Sequence, residues 1–526
     1  MFRPLLFWIF LLGFSNFLEG QTLDSPARPN ILFILADDLG YHDLSITGSR
    51  YYETPNIDRI ANEGTVFTQG YAASRVCSPS RASIMLGQFT ARHGITDWIG
   101  APEGEAWRDL NRYDKTLPAT YRHQLRQQAI TLPEALKAGG YATFFAGKWH
   151  LGDGDSSPET NGYDINKGGW EVGSPKGGYF SPWDNPRLPN TEPGENLSLR
   201  LAKETSQFIA GHSDTPFFAM LSFYAVHGPI QTTEQKWAKY RNKADSLGIA
   251  QRAFVMEQML PIRTEQDNPV YAGLVEQMDD AVGLVIEQLK QSGLYENTII
   301  IFTSDNGGVA SGDAFSTSNL PLRGGKGYQW EGGIREPFFI KLPGNYNAVK
   351  SSDVPVTGAD FYPTLLDYAG IPQIPQQAVD GKSLRPLIEG ENFEERALFW
   401  HYPHYGNQGG LPSSIIRRAA FKLIHYWEDD HDELYNLEDD PREQRDLSAV
   451  EPERTRELKA ELMAFLEETN AILPKKDPQF DQHKRNELDR ERLEVLLPKL
   501  EEERLHMLSK TYTPNQTWWG SKITRD

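Results

Sequence analysis

The chain is predicted to be an α/β protein. A large, mixed but mostly parallel sheet flanked by helices should be followed by a smaller C-terminal unit of antiparallel strands and a helix. Three observations lead there. Short apolar, β-rich runs (31–36, 142–146, 217–226 and 298–303) each stop abruptly at polar or charged residues. Stretches of helical period lie between these runs. Near residues 381–395 the apolar content drops, and the runs beyond it are short and closely spaced, as in hairpins.

A strand that is apolar at successive positions is buried on both faces, which a parallel sheet covered by helices provides. In such sheets ligands bind just beyond the carboxyl ends of the strands. The four runs end at Asp37-Asp38, at Gly147-Lys148-Trp149-His150, at His227 and at Ser304-Asp305-Asn306. Residues far apart in the chain are therefore expected at one site. Residues 55–62 and 131–138 read as helices. So does 271–291, whose Leu274, Met278, Val282, Val285 and Leu289 form one apolar stripe. In the small unit, 397–402, 414–417, 421–426 and 432–437 read as strands and 451–468 as a covering helix. Residues 481–508 read as a second, heavily charged helix, solvated or partly disordered. The expected division is a signal peptide at 1–20, a large unit at 28–390, a small α+β unit at 395–470 and a charged helical extension at 471–526.

Arg3 followed by the apolar stretch 5–14 and the more polar 15–21 is the pattern of a signal peptide, too short to cross a bilayer comfortably. No later segment reaches membrane-spanning length. The chain is thus expected to be exported, to a periplasm or outside the cell. A net charge of −19 argues against nucleic acid as a partner. The chain of 526 residues has a single cysteine, Cys77, which cannot form an intrachain disulfide in an oxidising compartment. It is either incidental or present for its chemistry.

Asp37, Asp38, Asp305 and Asn306 offer oxygen ligands with no His or Cys among them, a set that suits Ca²⁺ or Mg²⁺ rather than zinc. Taken singly, each has a plainer reading as a turn or helix cap. His150 and His227 could be core histidines, and Lys326 could belong to an ordinary glycine-rich loop.

Three motifs sharpen this. Cys77-Ser78-Pro79-Ser80-Arg81, the segment 140–150 ending in Gly147-Lys148-Trp149-His150, and Arg323-Gly324-Gly325-Lys326 with Glu331-Gly332-Gly333-Ile334-Arg335-Glu336-Pro337 resemble the type I, formylglycine-dependent sulfatases of the alkaline-phosphatase-like superfamily. The overall form is similar to bacterial polysaccharide sulfatases. The resemblance spans roughly residues 28–468 and departs at Leu86 and at Gly228, where the family often has Thr. It implies that a formylglycine-generating enzyme oxidises Cys77 to an aldehyde. The hydrated aldehyde carries two hydroxyls: one attacks sulfur and the other later helps expel sulfate.

The resemblance further implies a divalent metal, Ca²⁺ in most of the family with Mg²⁺ as the alternative, held by Asp37, Asp38, Asp305, Asn306 and the oxygen at position 77. Arg81 would orient the formylglycine. Lys148 would hold its oxygens or those of sulfate, and His150 would be the base. His227 would protonate the leaving alcohol or bind sulfate, Lys326 would contact sulfate, and Arg335 would be structural. His401 and His404 lie at the start of the small unit, in a loop that reaches the substrate pocket in related carbohydrate sulfatases; a surface or core role is the first reading for each, with substrate contact as the alternative. The expected activity is hydrolysis of O-sulfate esters on a sulfated carbohydrate, with ulvan, carrageenan and glycosaminoglycans all open. The overall acidity would repel such a substrate, but Arg81, Lys148, Lys326, His150, His227 and a metal would attract it locally. The rivals are a phosphonate monoester or phosphodiester hydrolase of the same superfamily and a non-catalytic glycan-binding protein.

Overall fold

The computed structural model describes residues 28–345 and 348–512; the signal-peptide expectation lies outside them. Eight strands form the main sheet: β1 (Asn30–Ala36), β2 (Thr65–Phe67), β3 (Ala142–Gly147), β4 (Ile165–Lys167), β5 (Phe217–Ser222), β6 (Thr298–Ser304), β7 (Phe338–Lys341) and β8 (Ser351–Ser352), in the order β8-β2-β7-β6-β1-β5-β3-β4. The four runs marked in the sequence are its centre. β1 is parallel to both β6 and β5, and β5 is parallel to β3. β7 runs antiparallel between β6 and β2.

β1 explains why the sheet has two cores. Leu32, Ile34 and Ala36 enter one apolar cluster, while Ile31, Phe33 and Leu35 enter another. Successive strand residues point to opposite faces, and here both faces are covered. Helices α4 (Leu197–Ala210) and α5 (Pro269–Gln291) cover the first face; α2 (Cys77–Leu86) and α3 (Leu132–Ala138) cover the second. The remaining numbered helix, α1 (Pro55–Glu63), packs beside α5. The predicted stripe of α5 is wholly buried, and Pro269 opens the helix behind the Asn268 cap, whose side chain accepts from Val270 N and Tyr271 N.

The run 217–226 is a strand only to Ser222. Residues 223–226 stay buried but leave the ladder, because Asp37 N donates to Ala225 O (2.9 Å) and Val226 N to Asp37 O (2.6 Å). That detour carries His227 across the end of β1.

In the small sheet, Ala397–Tyr402, Ser413–Arg418, Phe421–Tyr426 and His431–Asn436 pair antiparallel in sequential order, and Pro452–Glu468 covers them with Leu458, Leu462, Phe465 and Leu466. Their core continues into Tyr71, Tyr328 and Trp330 of the main body.

The charged extension departs from expectation. Arg504 is only 2% exposed and donates to Asp267 (2.6 Å), Leu500 packs with Phe254 and Phe315, and Leu508 O accepts from Arg241 Nε (2.9 Å). Leu496, Leu497, Leu500 and Arg504 recur at helical spacing, so a composition dominated by charge still presents one docking face. Among the described residues no helix is long and apolar enough to cross a membrane.

Candidate active site

The strand ends do converge. Lys148 Nζ lies 2.9 and 2.8 Å from the two Asp37 oxygens, and Lys326 Nζ lies 2.9 Å from Asp38 Oδ2. Arg81 Nε donates to Asp305 Oδ2 (2.8 Å), and Asn306 Nδ2 donates to Asp38 Oδ1 (2.8 Å). All these side chains are buried. Three carboxylates and three cations thus form one desolvated cluster in which every charge has a partner, the condition for burying charge at all. Burial works against ionised Asp38, but the charges of Lys326, His227 and Lys148 outweigh it and hold its carboxyl below the usual range.

Cys77 is the first residue of α2, whose ten residues are all buried. No side chain caps this end, so its free backbone N–H groups and the positive end of the helix dipole sit beside position 77. Burial raises the thiol above its ordinary pKa despite the opposing charges of Lys148 and Lys326. Ligand atoms of Asp37, Cys77 and Asp305 lie within 4.8 Å of one another. Asn306 Oδ1 is buried and has no hydrogen-bond partner. An orphaned carbonyl oxygen beside three carboxylates matches the donor set of a hard divalent cation.

Local geometry explains the residues around Lys148. Gly147 has φ +107°, and a Cβ there would lie 1.7 Å from Ser222 O. The close approach lets Lys148 N donate to Ser222 O (2.8 Å), while Arg81 Nη1 donates to Lys148 O (2.9 Å) and to Ser222 Oγ (2.7 Å). Arg81 therefore braces Asp305 and the Lys148 backbone; it does not line the cleft. Ser222, unmarked in the sequence, joins both.

His150 Nε2 lies 3.1 Å from Ile99 O. A carbonyl only accepts, so Nε2 carries the hydrogen and Nδ1 keeps its lone pair. Nδ1 is buried without a partner. Burial first, then the Lys148 charge, push the His150 pKa well below its ordinary value, so the ring is neutral. By the same reasoning His227 Nδ1 donates to Gly228 O (2.5 Å), and its Nε2 faces Asp38 Oδ2 at 3.7 Å. Ile99 also ties His150 to the helix that begins at Cys77, because its own N donates to Ser78 Oγ (3.0 Å). Nothing in the sequence around Ile99 signals this, since both contacts use its backbone.

Gly173 packs on the His150 ring: a Cβ would meet Cε1 at 2.4 Å and Nδ1 at 2.5 Å. Gly173→Ala is expected to displace the ring and lower kcat/KM roughly 10- to 100-fold with the fold intact, as steady-state kinetics beside circular dichroism will show.

A cleft of about 300 Å³ opens above, with Cys77, His150, His227 and Lys326 among its lining. The two histidines expected at the substrate are elsewhere. His401 is 2% exposed, with Nδ1 on Ser414 Oγ (2.7 Å) and Nε2 on Ile472 O (3.1 Å), so both ring nitrogens are engaged. His404 is fully buried, with Nε2 on Thr96 Oγ1 (2.9 Å) and Nδ1 3.6 Å from Asp97 Oδ2. Asp97, its pKa pushed up by burial to about 7, accepts from Tyr402 OH (2.7 Å) and Trp98 N (2.8 Å). His404 thus supports the 96–99 loop from behind. The segment that follows His401 and carries His404 does reach the cleft, but through Asn407 and Gln408.

Comparison with known proteins agrees with this geometry. The family model described as Sulfatase matches residues 29–371, and that of the N-sulphoglucosamine sulphohydrolase C-terminal region matches residues 325–471. A sulfatase from Formosa agariphila is 32% identical over 508 residues, covering 82% of this chain and 86% of its own length. An N-acetylgalactosamine-6-sulfatase from Sus scrofa is 32% identical over 419 residues, covering 75% and 72%. Among solved structures, Ps i-CgsB in complex with k-i-k-neocarrahexaose superposes with a TM-score of 0.67 at 25% identity, over 90% of this chain and all of that one. With its active-site cluster assembled at the strand ends and its family model matched across the main sheet, the chain belongs to the sulfatase family and is a sulfuric ester hydrolase.

Proposed function

We propose that this sulfatase hydrolyses O-sulfate esters of a sulfated carbohydrate, using formylglycine derived from Cys77 and one divalent cation. The observation that carries the reading is the single buried cluster in which Cys77, at a helix N-terminus, faces three carboxylates, two lysines and the unpartnered Asn306 Oδ1. Asp37, Asp38, Asp305 and Asn306, with position 77, would hold Ca²⁺ or Mg²⁺. The bound cation would supply positive charge that acidifies an attached oxygen, and formylglycine would supply the nucleophilic hydroxyl.

The chain's own residues do the rest. Lys148 and Lys326 act as fixed charges on the sulfate oxygens, preorganised in a site that excludes water. His150 accepts a proton at Nδ1, its ring oriented by Ile99 O. His227, oriented by Gly228 O, presents Nε2 to the leaving oxygen. Arg81 holds Asp305 and the Lys148 backbone in register.

The carbohydrate class is supported by the names of the relatives and by the oligosaccharide bound to the structural neighbour. Algal polymers of the ulvan or carrageenan type fall within it. Residues 1–20 act as an export signal, and a formylglycine-generating enzyme matures the chain. Residues 28–390 form the catalytic unit, 395–470 the small unit and 471–526 the extension.

Chelation is expected to lower aryl sulfate turnover about 100-fold or more, restored by added Ca²⁺ or Mg²⁺. Full turnover in metal-free protein would remove the cation from the reading. Matched aryl sulfate and aryl phosphonate substrates provide the second test. Preference for the phosphonate would replace the sulfate-ester reading with that of a phosphonate hydrolase.

A further inference from the structure

The cleft is charged unevenly from floor to mouth. Lys326 is the one lysine or arginine in its lining, and it sits at the floor with His150 and His227. More exposed are Trp98, Ile99, Val172, the amide of Asn407 and the carboxylate of Glu171, while Gln408 is as buried as His227. Glu171 is exposed, and no ion pair to it occurs among the described residues. A second carboxylate lies just behind this rim, where Gln408 Nε2 donates to Asp313 Oδ2.

Two basic side chains stand outside the lining. Arg112 donates to Asn407 Oδ1 (2.6 Å) and Gly406 O (3.1 Å), and Lys176 lies 3.5 Å from Asp184. One sulfate group meets cations at the floor. A second anionic group that reaches Glu171 meets a carboxylate with no lysine or arginine beside it in the lining, the Arg112 charge being held at Asn407, whereas an uncharged hydroxyl can donate to the same carboxylate. The Trp98 ring and its aliphatic neighbours suit the C–H face of a sugar ring.

We propose that Glu171 and Trp98 are specificity residues that select a sulfated sugar whose adjoining groups are uncharged, against units carrying a uronic carboxylate or a second sulfate beside the reacting one. This rests on the sulfatase reading, so the test separates the two. The purified holoenzyme is assayed with nitrophenyl sulfates that carry a carboxamide or a carboxylate at the same ring position, which makes the readout independent of the natural sugar. Wild type is expected to favour the carboxamide about tenfold in kcat/KM, with the ratio shrinking as ionic strength rises.

Glu171→Gln is expected to bring the ratio to within about twofold of one, mainly through KM, and Glu171→Lys to invert it. Trp98→Ala is expected to raise KM for both substrates without moving the ratio. A wild-type ratio near one, or a ratio unmoved in Glu171→Gln, overturns the inference while leaving the sulfatase reading intact. Absence of turnover on either aryl sulfate by wild type overturns both. The salt dependence of wild type supplies a test that needs no variant to fold.

Discussion

Cys77→Ala is expected to lower sulfate ester hydrolysis by about 10⁴-fold or more while the protein still folds. The side chain is small, and its removal leaves the cluster of Asp37, Asp38, Asp305, Lys148, Lys326 and Arg81 paired as before. Kinetics against a matched thermal melt separates lost chemistry from lost structure. Cys77→Ser is the sharper variant, since it keeps a hydroxyl at the helix N-terminus. If an ordinary hydroxyl sufficed, Ser would sustain turnover. A single hydroxyl has no partner to expel sulfate, so the expected result is at most one turnover followed by a trapped ester. Mass analysis of the peptide containing position 77 in native protein should show an aldehyde in place of the thiol. Thiol alone, together with full activity in Cys77→Ala, would defeat the mechanism.

Arg81→Ala is expected to be the most destabilising single change in the cluster, costing about 3–5 kcal/mol. The guanidinium is 2% exposed and lies 2.7 Å from Asp305 Oδ2 and 3.7 Å from Asp37 Oδ1. Its removal leaves carboxylates in a dry interior with one cation fewer. It also removes the donor to the Lys148 carbonyl and to Ser222 Oγ, leaving them only their bond to each other (2.7 Å), so the lysine shifts and activity falls with stability. The double variant Arg81→Leu/Asp305→Leu removes both charges, and its denaturant midpoint should recover part of the loss. If the double variant is less stable than wild type by the sum of the two single losses, uncompensated charge is not the cause. Arg81→Lys keeps the charge but not the planar fork that reaches Asp305, Lys148 O and Ser222 together, so it should rescue stability only in part.

How far the sequence foretold this site depends on which atoms do the work. β1, β3, β5 and β6 could be read directly, because a strand buried on both faces must be apolar throughout, and their polar ends then mark the site. β2, β4, β7 and β8 could not, since strands of two to four residues leave no periodic trace. Asp37, Asp38, Asp305, Lys148, Lys326 and Cys77 are side-chain contributors and stood out through type and spacing. Ile99, Gly173 and Ser222 act through a carbonyl, a missing side chain and a bridging hydroxyl, none of which has a motif. For His401 and His404 the sequence left substrate contact open beside a surface or core role, because a histidine at a strand end or in a loop looks the same whether it faces ligand or core. The docking of the C-terminal helix was hidden by composition, because Arg504 counts as charge wherever it points.

The double attachment of Ile99 sets how this enzyme can change. Its N–H is fastened to the helix that begins at Cys77 and its carbonyl to His150, the nucleophile and base of the proposed mechanism. The wall of the cleft at Trp98 and Ile99 is therefore a strut between two catalytic parts, and repositioning its backbone detunes the chemistry. The wall at Glu171–Val172 is held too, because His150 N donates to Trp170 O (3.1 Å) on one side of it and Gly173 packs on the His150 ring on the other. Among the described residues no hydrogen bond ties Asn407 or Gln408 to His150 or to the helix that begins at Cys77. Evolution or a designer seeking new substrates has an asymmetric space to work in, with two walls held by their mechanical duty and the third, at Asn407–Gln408, free to drift.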